Sequence, residues 1–289
     1  YSKLINSEMN STVLNDSIFS IVTYNIGYLS GMTNNLPVAK PKSLFDDNLS
    51  KVKSTFKQLD VDIIAFQEID YRSARSYDID QQFEIAKLGY PHVAQAVNWD
   101  LHYLPFPVWP ISTHFGRIYS GQSVLSKYPI AFHERIVLDR VADTSFFRNA
   151  FYIERLAQVV KIEVNQKTIV VINVHLEAFD RPTRLQQTKY IVSLYNSYKD
   201  DYPTLLVGDF NSDPRYKDAS IAVILDIPNI GNAVFADDYP NTFSSVKPTK
   251  RIDYIFYNKN FIEEINSRVV NEMGKASDHL PVLMKFRLK

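Results

Sequence analysis

Thr168-Ile-Val-Val-Ile-Asn-Val-His175 and Thr204-Leu-Leu-Val-Gly-Asp-Phe-Asn211 are the two stretches that decide the fold. Each is an apolar run of strand length that stops at polar or turn-forming residues, the pattern of a buried strand rather than of a helix. Between them, Thr183–Tyr198 reads as a helix. Working outward, strands are expected at Ile18–Asn25, Val61–Phe66, Ser123–Leu125, Ile130–Leu138, Val159–Val164, Ile252–Tyr257 and Pro281–Phe286. Leu44, Phe45, Leu49, Val52 and Phe56 recur at helical spacing, so Leu44–Leu59 is expected to be a helix. A second helix is expected over Gln81–Leu88, ended by Gly89 and Pro91. Strands outnumber helices and the helices are spread through the chain. The fold class is therefore α/β (α+β), with two packed sheets and helices outside.

Val93–Ile118 breaks this pattern. It carries Trp99, His102, Tyr103, Phe106, Trp109, His114 and Phe115 among three prolines, with no sustained period. It is expected to be a long aromatic loop or flap, a kind of element that often serves function.

The chain has 289 residues, long enough for a sizeable core, and no linker composition divides it, so one domain is expected over 18–289. Hydrophobic residues make up 45% and charged residues 22%, which excludes disorder, collagen and a coiled coil as the main architecture. No apolar run reaches the roughly 18 residues of a membrane-crossing helix. Lys+Arg and Asp+Glu balance at 32 each, so there is no global field for a polyanion, although a local basic patch would suffice. With no cysteine, zinc–thiolate sites, disulfides and a cysteine nucleophile are excluded. Residues 1–17 form a polar Ser/Asn/Thr-rich segment beginning at Tyr1, which resembles the spacer after an export signal. That favours an extracytoplasmic location; an arbitrary truncation gives the same start.

Polar residues at strand ends carry the chemistry: Asn25, Glu68, His175, Asp209 with Asn211, Asp253, and Asp278 with His279. Any one of them alone reads as turn chemistry. Six such ends together read as a site assembled on one rim. Carboxylate and amide oxygens without thiols favour a hard cation, Mg²⁺ or Mn²⁺. Histidine can move a proton near neutral pH or bind phosphate when charged. That combination equips a site for attack of water on a phosphoester.

These residues, in this order, resemble the metal-dependent endonuclease/exonuclease/phosphatase superfamily. The matching motifs are Thr-Tyr-Asn25-Ile, Phe-Gln67-Glu68, Gly121-Gln-Ser-Val-Leu-Ser126, Asn173-Val-His175-Leu, Gly208-Asp209-Phe-Asn211, Arg251-Ile-Asp253-Tyr-Ile and Ser277-Asp278-His279-Leu-Pro281. The resemblance implies a four-layer sandwich of two mixed sheets flanked by helices. It implies Glu68 as principal metal ligand with Asn25 and Asp278 beside it. Asp209 and His279 together are implied as the proton-handling pair, with Asp253 behind His279. Asn211 is implied to hold water or a phosphate oxygen, and His175 to donate to the phosphate. Gly27 stands where several nuclease members carry a carboxylate, which argues against an abasic-site endonuclease. Gln122 keeps an amide where many relatives have Asn.

Arg72, Arg75, Gln122, Trp99 and Trp109 are the candidates for substrate selection. The arginines suit a second phosphate or acidic group. The tryptophans suit base stacking or a membrane surface. The expected activity is Mg²⁺-dependent hydrolysis of a small or lipid-linked phosphoester. A nuclease, a binding protein with a dead site and a zinc hydrolase built on His175 and His279 are the competing readings. No protein partner is evident.

Overall fold

The computed structural model of the chain describes residues 1–6, 17–34, 36–142, 152–234 and 240–289. Among them are two mixed β-sheets. The first has seven strands: β1 (Ser2–Asn6), β2 (Phe19–Asn25), β3 (Ile63–Asp70), β4 (His92–Leu104), β5 (Gly116–Ser126), β12 (Ile262–Val269) and β13 (Val282–Leu288), in the order β1-β4-β5-β3-β2-β13-β12. The second has six: β6 (Ile130–Val137), β7 (Leu156–Val164), β8 (Lys167–His175), β9 (Thr204–Asp209), β10 (Ile230–Asn232) and β11 (Asp253–Asn258), in the order β10-β11-β9-β8-β7-β6.

The sheets pack face to face on a dry layer that includes Ile21, Ile63, Ala65, Val124, Val160, Val171, Val207, Ile255 and Met284. Burying an aliphatic side chain of this size contributes about 1.5–3 kcal/mol, so this layer holds the sheets together. The outer face of the first sheet is covered by α1 (Lys42–Leu59) through Phe45, Val52 and Phe56, with α2 (Gln81–Ala86) adding Ile85. The outer face of the second is covered by α3 (Arg181–Asn196) through Ile191 and Tyr195, and by α4 (Ala222–Leu225) through Ile224. The layers run helix, sheet, sheet, helix, as the resemblance implies.

Strand direction places the polar ends. β2 and β3 are parallel and joined through α1; β8 and β9 are parallel and joined through α3. Parallel strands finish at the same rim, so Asn25 stands beside Gln67 and His175 beside Asp209. β11 and β13 run antiparallel to β9 and β2, so they begin where those strands end. Asp253 therefore pairs with Asp209, and Asp278–His279 lead into β13 at the same rim.

Two expectations are corrected. Val93–Ile118 is not a long loop: β4 and β5 form an antiparallel ladder from His92↔Ser126 to Leu104↔Gly116. Register shifts at Val97/Trp99 and Leu101/Leu104 break the alternation that would have marked the strands. Pro105, Pro107 and Pro110 sit beyond the ladder, in the turn. Leu104, Phe115 and Ile118 form a small core there, with Trp99 and Leu101 packed on it. The first ordered element is not at Ile18 either. β1 adds to the edge of β4 from Ser2↔Ala96 to Asn6↔His92, a backbone pairing that needs no apolar pattern. Positions 7–16 of the polar segment lie outside the described residues.

Candidate active site

A cleft of about 560 Å³ opens at the shared rim. Glu68, His175, Asp209, Asn211, Asp278 and His279 line it. Sequence reasoning placed all six there; the structure brings them together from both sheets.

Glu68 reaches the cleft through a backbone irregularity. The β3–β5 register shifts between Phe66 and Ile69, and Glu68 has φ 51°. A bulge lets Gln67 and Glu68 take different directions while the apolar alternation resumes at Ile69. Gln67 turns between the sheets, where its Nε2 donates to Asn173 Oδ1 at 2.6 Å and Thr23 Oγ1 at 3.1 Å. Asn173 Nδ2 in turn donates to the Phe66 carbonyl at 3.0 Å and to Gln158 Oε1 at 3.1 Å. This buried amide network ties the two sheets together beneath the cleft.

The carboxylates divide into two groups. Asn34 Nδ2 donates to Glu68 Oε2 at 3.0 Å and lies 3.4 Å from Asp278 Oδ1, so one neutral amide serves two acids. Burial, and then the Asp278 charge, push the Glu68 carboxyl above its ordinary value. Asp209 is held by Asn25 Nδ2 at 3.0 Å and by the Asn211 backbone N–H at 2.9 Å. Burial drives its pKa up, with Asp253 adding to the rise and His279 opposing it. His279 Nδ1 donates to Asp253 at 3.0–3.1 Å, and its Nε2 lies 3.8 Å from Asp209 Oδ2. Burial opposes charge on His279, but Asp253 and Asp209 outweigh it, so its pKa stands well above the usual histidine value.

His175 sits differently from the sequence expectation. Arg155 Nη1 donates to His175 Nε2 at 2.9 Å, so that nitrogen is an acceptor and cannot donate to a phosphate. Burial, Arg155 and His279 all hold the His175 pKa well below normal, so the ring is neutral. Arg155 itself lines the cleft, buried, with Glu177 Oε2 3.5 Å from its Nε. It brings a guanidinium to the cleft wall beside His175.

The remaining candidates are placed as follows. Asn25 is 1% exposed and stands behind Asp209, its Oδ1 accepting from Gly27 N at 3.1 Å. Asn211, at φ 50°, donates through Nδ2 to the Leu176 carbonyl at 3.0 Å. Trp99 lines the cleft, while Trp109 is 76% exposed at the β4–β5 turn. Gln122 is fully buried and donates to the Asn173 carbonyl at 3.1 Å, a sheet-to-sheet tie rather than a substrate contact. Arg72 is exposed and lies 3.7 Å from Asp80, away from the cleft. Arg75 is buried against Asp70 and its face lies 3.4 Å from the Tyr28 ring centre. Asp180 caps α3 by accepting from Thr183 N at 2.9 Å, and Arg184 Nη1 is held by the Glu177 and Ala178 carbonyls at 2.9 Å.

Asn34 and Arg155 were missed. Arg155 precedes the apolar run of β7, where a lone charged residue reads as the solvated end of a strand. Asn34 lies in a polar loop whose composition carries no signal.

The family model described as "Endonuclease/Exonuclease/phosphatase family" matches residues 22–279. The chain belongs to that family. Its motif residues, from Asn25 to His279, all fall within the match. None of the curated proteins matches the chain by sequence. Solved structures share the fold. An endonuclease/exonuclease/phosphatase from Beutenbergia cavernae has TM-score 0.67 and 18% identity, over 94% of this chain and 72% of that one. The human Nocturnin catalytic domain with bound sulfate has TM-score 0.65 and 16% identity, over 100% and 97%. A Bacteroides thetaiotaomicron mannosyl-6-phosphatase has TM-score 0.65 and 15% identity, over 94% and 99%. The family includes phosphoesterases and nucleases and is typically dependent on a divalent metal.

The residues of this member suit such an ion. Glu68 and Asp278 share a single amide donor, a deficit of positive charge that a divalent cation relieves. Asp209, Asp253 and His279 form a second grouping with ligand atoms within 4.8 Å of one another. There, Asp253 and His279 Nδ1 already satisfy each other, which leaves His279 Nε2 facing Asp209.

Proposed function

We propose that this protein hydrolyses a small or lipid-linked phosphoester by attack of water, with Mg²⁺ or Mn²⁺ held by Glu68 and Asp278. The observation that carries the reading is the arrangement of two unlike halves in one cleft: acids lacking cations at Glu68 and Asp278, and a charged His279 beside an Asp209 of raised pKa.

The bound ion would polarise the phosphoryl oxygens and offset their charge. The protein's own groups do the rest. Asp209, oriented by Asn25 and the Asn211 N–H, accepts a proton from the attacking water. Its raised pKa brings it towards the range useful for a general base at neutral pH. His279, kept protonated by Asp253, donates through Nε2 to a phosphate oxygen or to the leaving oxygen. Arg155, whose charge is shared with Glu177, presents a guanidinium where negative charge grows in the transition state. Asn25 positions Asp209 rather than contacting the substrate.

Zero net charge disfavours nucleic acid as substrate. Val108, Trp109 and Ile111, 81%, 76% and 62% exposed at the β4–β5 turn, support contact with a lipid surface.

The test is Mg²⁺-dependent hydrolysis across plasmid DNA, RNA, sphingomyelin, phosphoinositides and small sugar or nucleotide phosphates. We expect turnover of a small or lipid phosphoester, abolished by chelator and reduced about 10²–10³-fold or more by Asp209→Asn. Cleavage of DNA or RNA alone would replace the reading with a nuclease. Stoichiometric zinc that survives dialysis would replace it with a zinc hydrolase.

A further inference from the structure

A second pocket, of about 230 Å³, adjoins the cleft and shares Tyr28 and Asn34 with it as a common wall. Its other lining residues include Lys40, Arg75, Ser112, Thr113 and His114. The wall matters, because Asn34 is the residue that holds Glu68 on the cleft side.

The charges in this pocket do not cancel. Arg75 is anchored on one side: its Nε and Nη2 bind Asp70, with Nη2–Oδ1 at 2.8 Å. Asp70 also accepts from Ser73 Oγ at 2.7 Å and Ser76 Oγ at 2.8 Å. The pair is therefore neutral and rigid, and Tyr28, Trp99 and Phe115 surround the guanidinium at 3.4, 5.3 and 5.4 Å. Arg75 Nη1 makes no hydrogen bond to a described residue. Lys40 has no acidic partner within 4 Å among the described residues; its Nζ donates to the Leu36 carbonyl at 3.2 Å and lies 5.3 Å from the Phe115 ring centre. That leaves donors on an ammonium that is half-buried and unneutralised. Burial, and then Arg75, hold its pKa below the ordinary lysine value, the signature of a cation lacking a counter-charge.

We infer that this pocket binds a second anionic group of the substrate, a phosphate or carboxylate, between Lys40 and the Asp70-anchored face of Arg75, while the scissile phosphate lies across the Tyr28–Asn34 wall. The inference rests on the hydrolase reading and narrows it to esters carrying two acidic groups. Arg75 is the sequence-predicted arginine that serves. Arg72, paired outward with Asp80, does not.

The test is calorimetric titration of the whole protein in Mg²⁺ with α,ω-alkanebisphosphonates of increasing length, against alkyl monophosphonates of the same length. These probes cannot be hydrolysed, so binding is read apart from turnover. One chain length is expected to bind at least about tenfold tighter than its monophosphonate, the value of one charge-assisted contact. Lys40→Met is expected to collapse that ratio and Lys40→Arg to retain it. Lys40 makes no buried ion pair, so neither change removes a structural contact of that kind. Equal affinities at every length, or a ratio that survives Lys40→Met, would overturn the inference. A bisphosphonate preference without hydrolysis of any ester would leave the pocket assigned and overturn the hydrolase reading. Ester hydrolysis without a preference would do the reverse.

Discussion

At the scale of single residues, the cleft holds two neighbours, Asp209 and His279, whose pKa values are both raised by their surroundings. His279 gains Asp253 and Asp209 on folding, and its pKa rises above the unfolded value of about 6.5. The folded state therefore holds that proton more tightly. Its contribution to stability is fully present below pH 6.5 and is lost as pH rises through the raised folded value. His279→Gln should consequently cost most in the urea midpoint at pH 6, with the gap from wild type narrowing as the pH is made alkaline. A gap independent of pH would mean that His279 is neutral in the fold. Arg155 makes a separate prediction. Arg155→Met removes the donor from His175 Nε2 and the fixed charge from the cleft, so kcat should fall about 10²-fold with a smaller change in KM. The acids and histidines were legible in the sequence because apolar strand runs mark both where they end and where they begin. The role of His175 was not, because it is decided by a guanidinium that reaches it from the start of β7.

At the scale of elements, what the sequence showed depended on whether a segment's pattern is local. β8 and β9 are buried on both faces and read as apolar runs; α1 shows its stripe. β4 and β5 are the same kind of structure, but their bulges shift the alternation and their aromatic side chains pack on a small core of their own. β1 and β10 are short strands fixed by their neighbours' backbones, and β12 exposes much of its surface, so none carries a strong pattern. β9 shows how tightly an element fixes a side chain of the cleft. Gly208 immediately precedes Asp209 and has φ 140°, and a Cβ there would lie 2.0 Å from the Val174 carbonyl oxygen. Gly208→Ala must push β9 from β8, so we expect a loss of more than about 2 kcal/mol in chemical denaturation, combining overpacking and backbone strain. A variant of wild-type stability would show that the β8–β9 ladder can yield there. Asn173 gives the complementary case. Asn173→Leu takes the donor from Gln158 Oε1 and the Phe66 carbonyl in the buried layer, at about 1–3 kcal/mol for each group left unpaired, while Gln67 keeps Thr23 as a partner.

At the scale of the whole molecule, the cleft lies where two sheets meet, so anything that binds there reports on the entire fold. Glu68 comes from the first sheet and Asp278 from the loop entering β13, and their charges face each other across one amide. Without a cation, that repulsion and the burial of Glu68 weaken the native state; a bound ion is absent from the unfolded chain and removes the penalty. By linkage, a ligand at a hundred times its dissociation constant adds about 2.7 kcal/mol. For a chain of 289 residues that corresponds to roughly 4–5 °C in Tm. Mg²⁺ should therefore raise Tm by that amount over chelator-treated protein, measured by scanning calorimetry. Glu68→Gln tests the cause: it removes one of the two charges, and with it their repulsion, together with the proposed principal ligand. It should raise Tm in chelator and abolish most of the Mg²⁺ shift. If instead Asp253→Asn abolished the shift while Glu68→Gln kept it, the ion would belong to the Asp209–Asp253–His279 grouping. His279 would then be a ligand rather than the proton carrier.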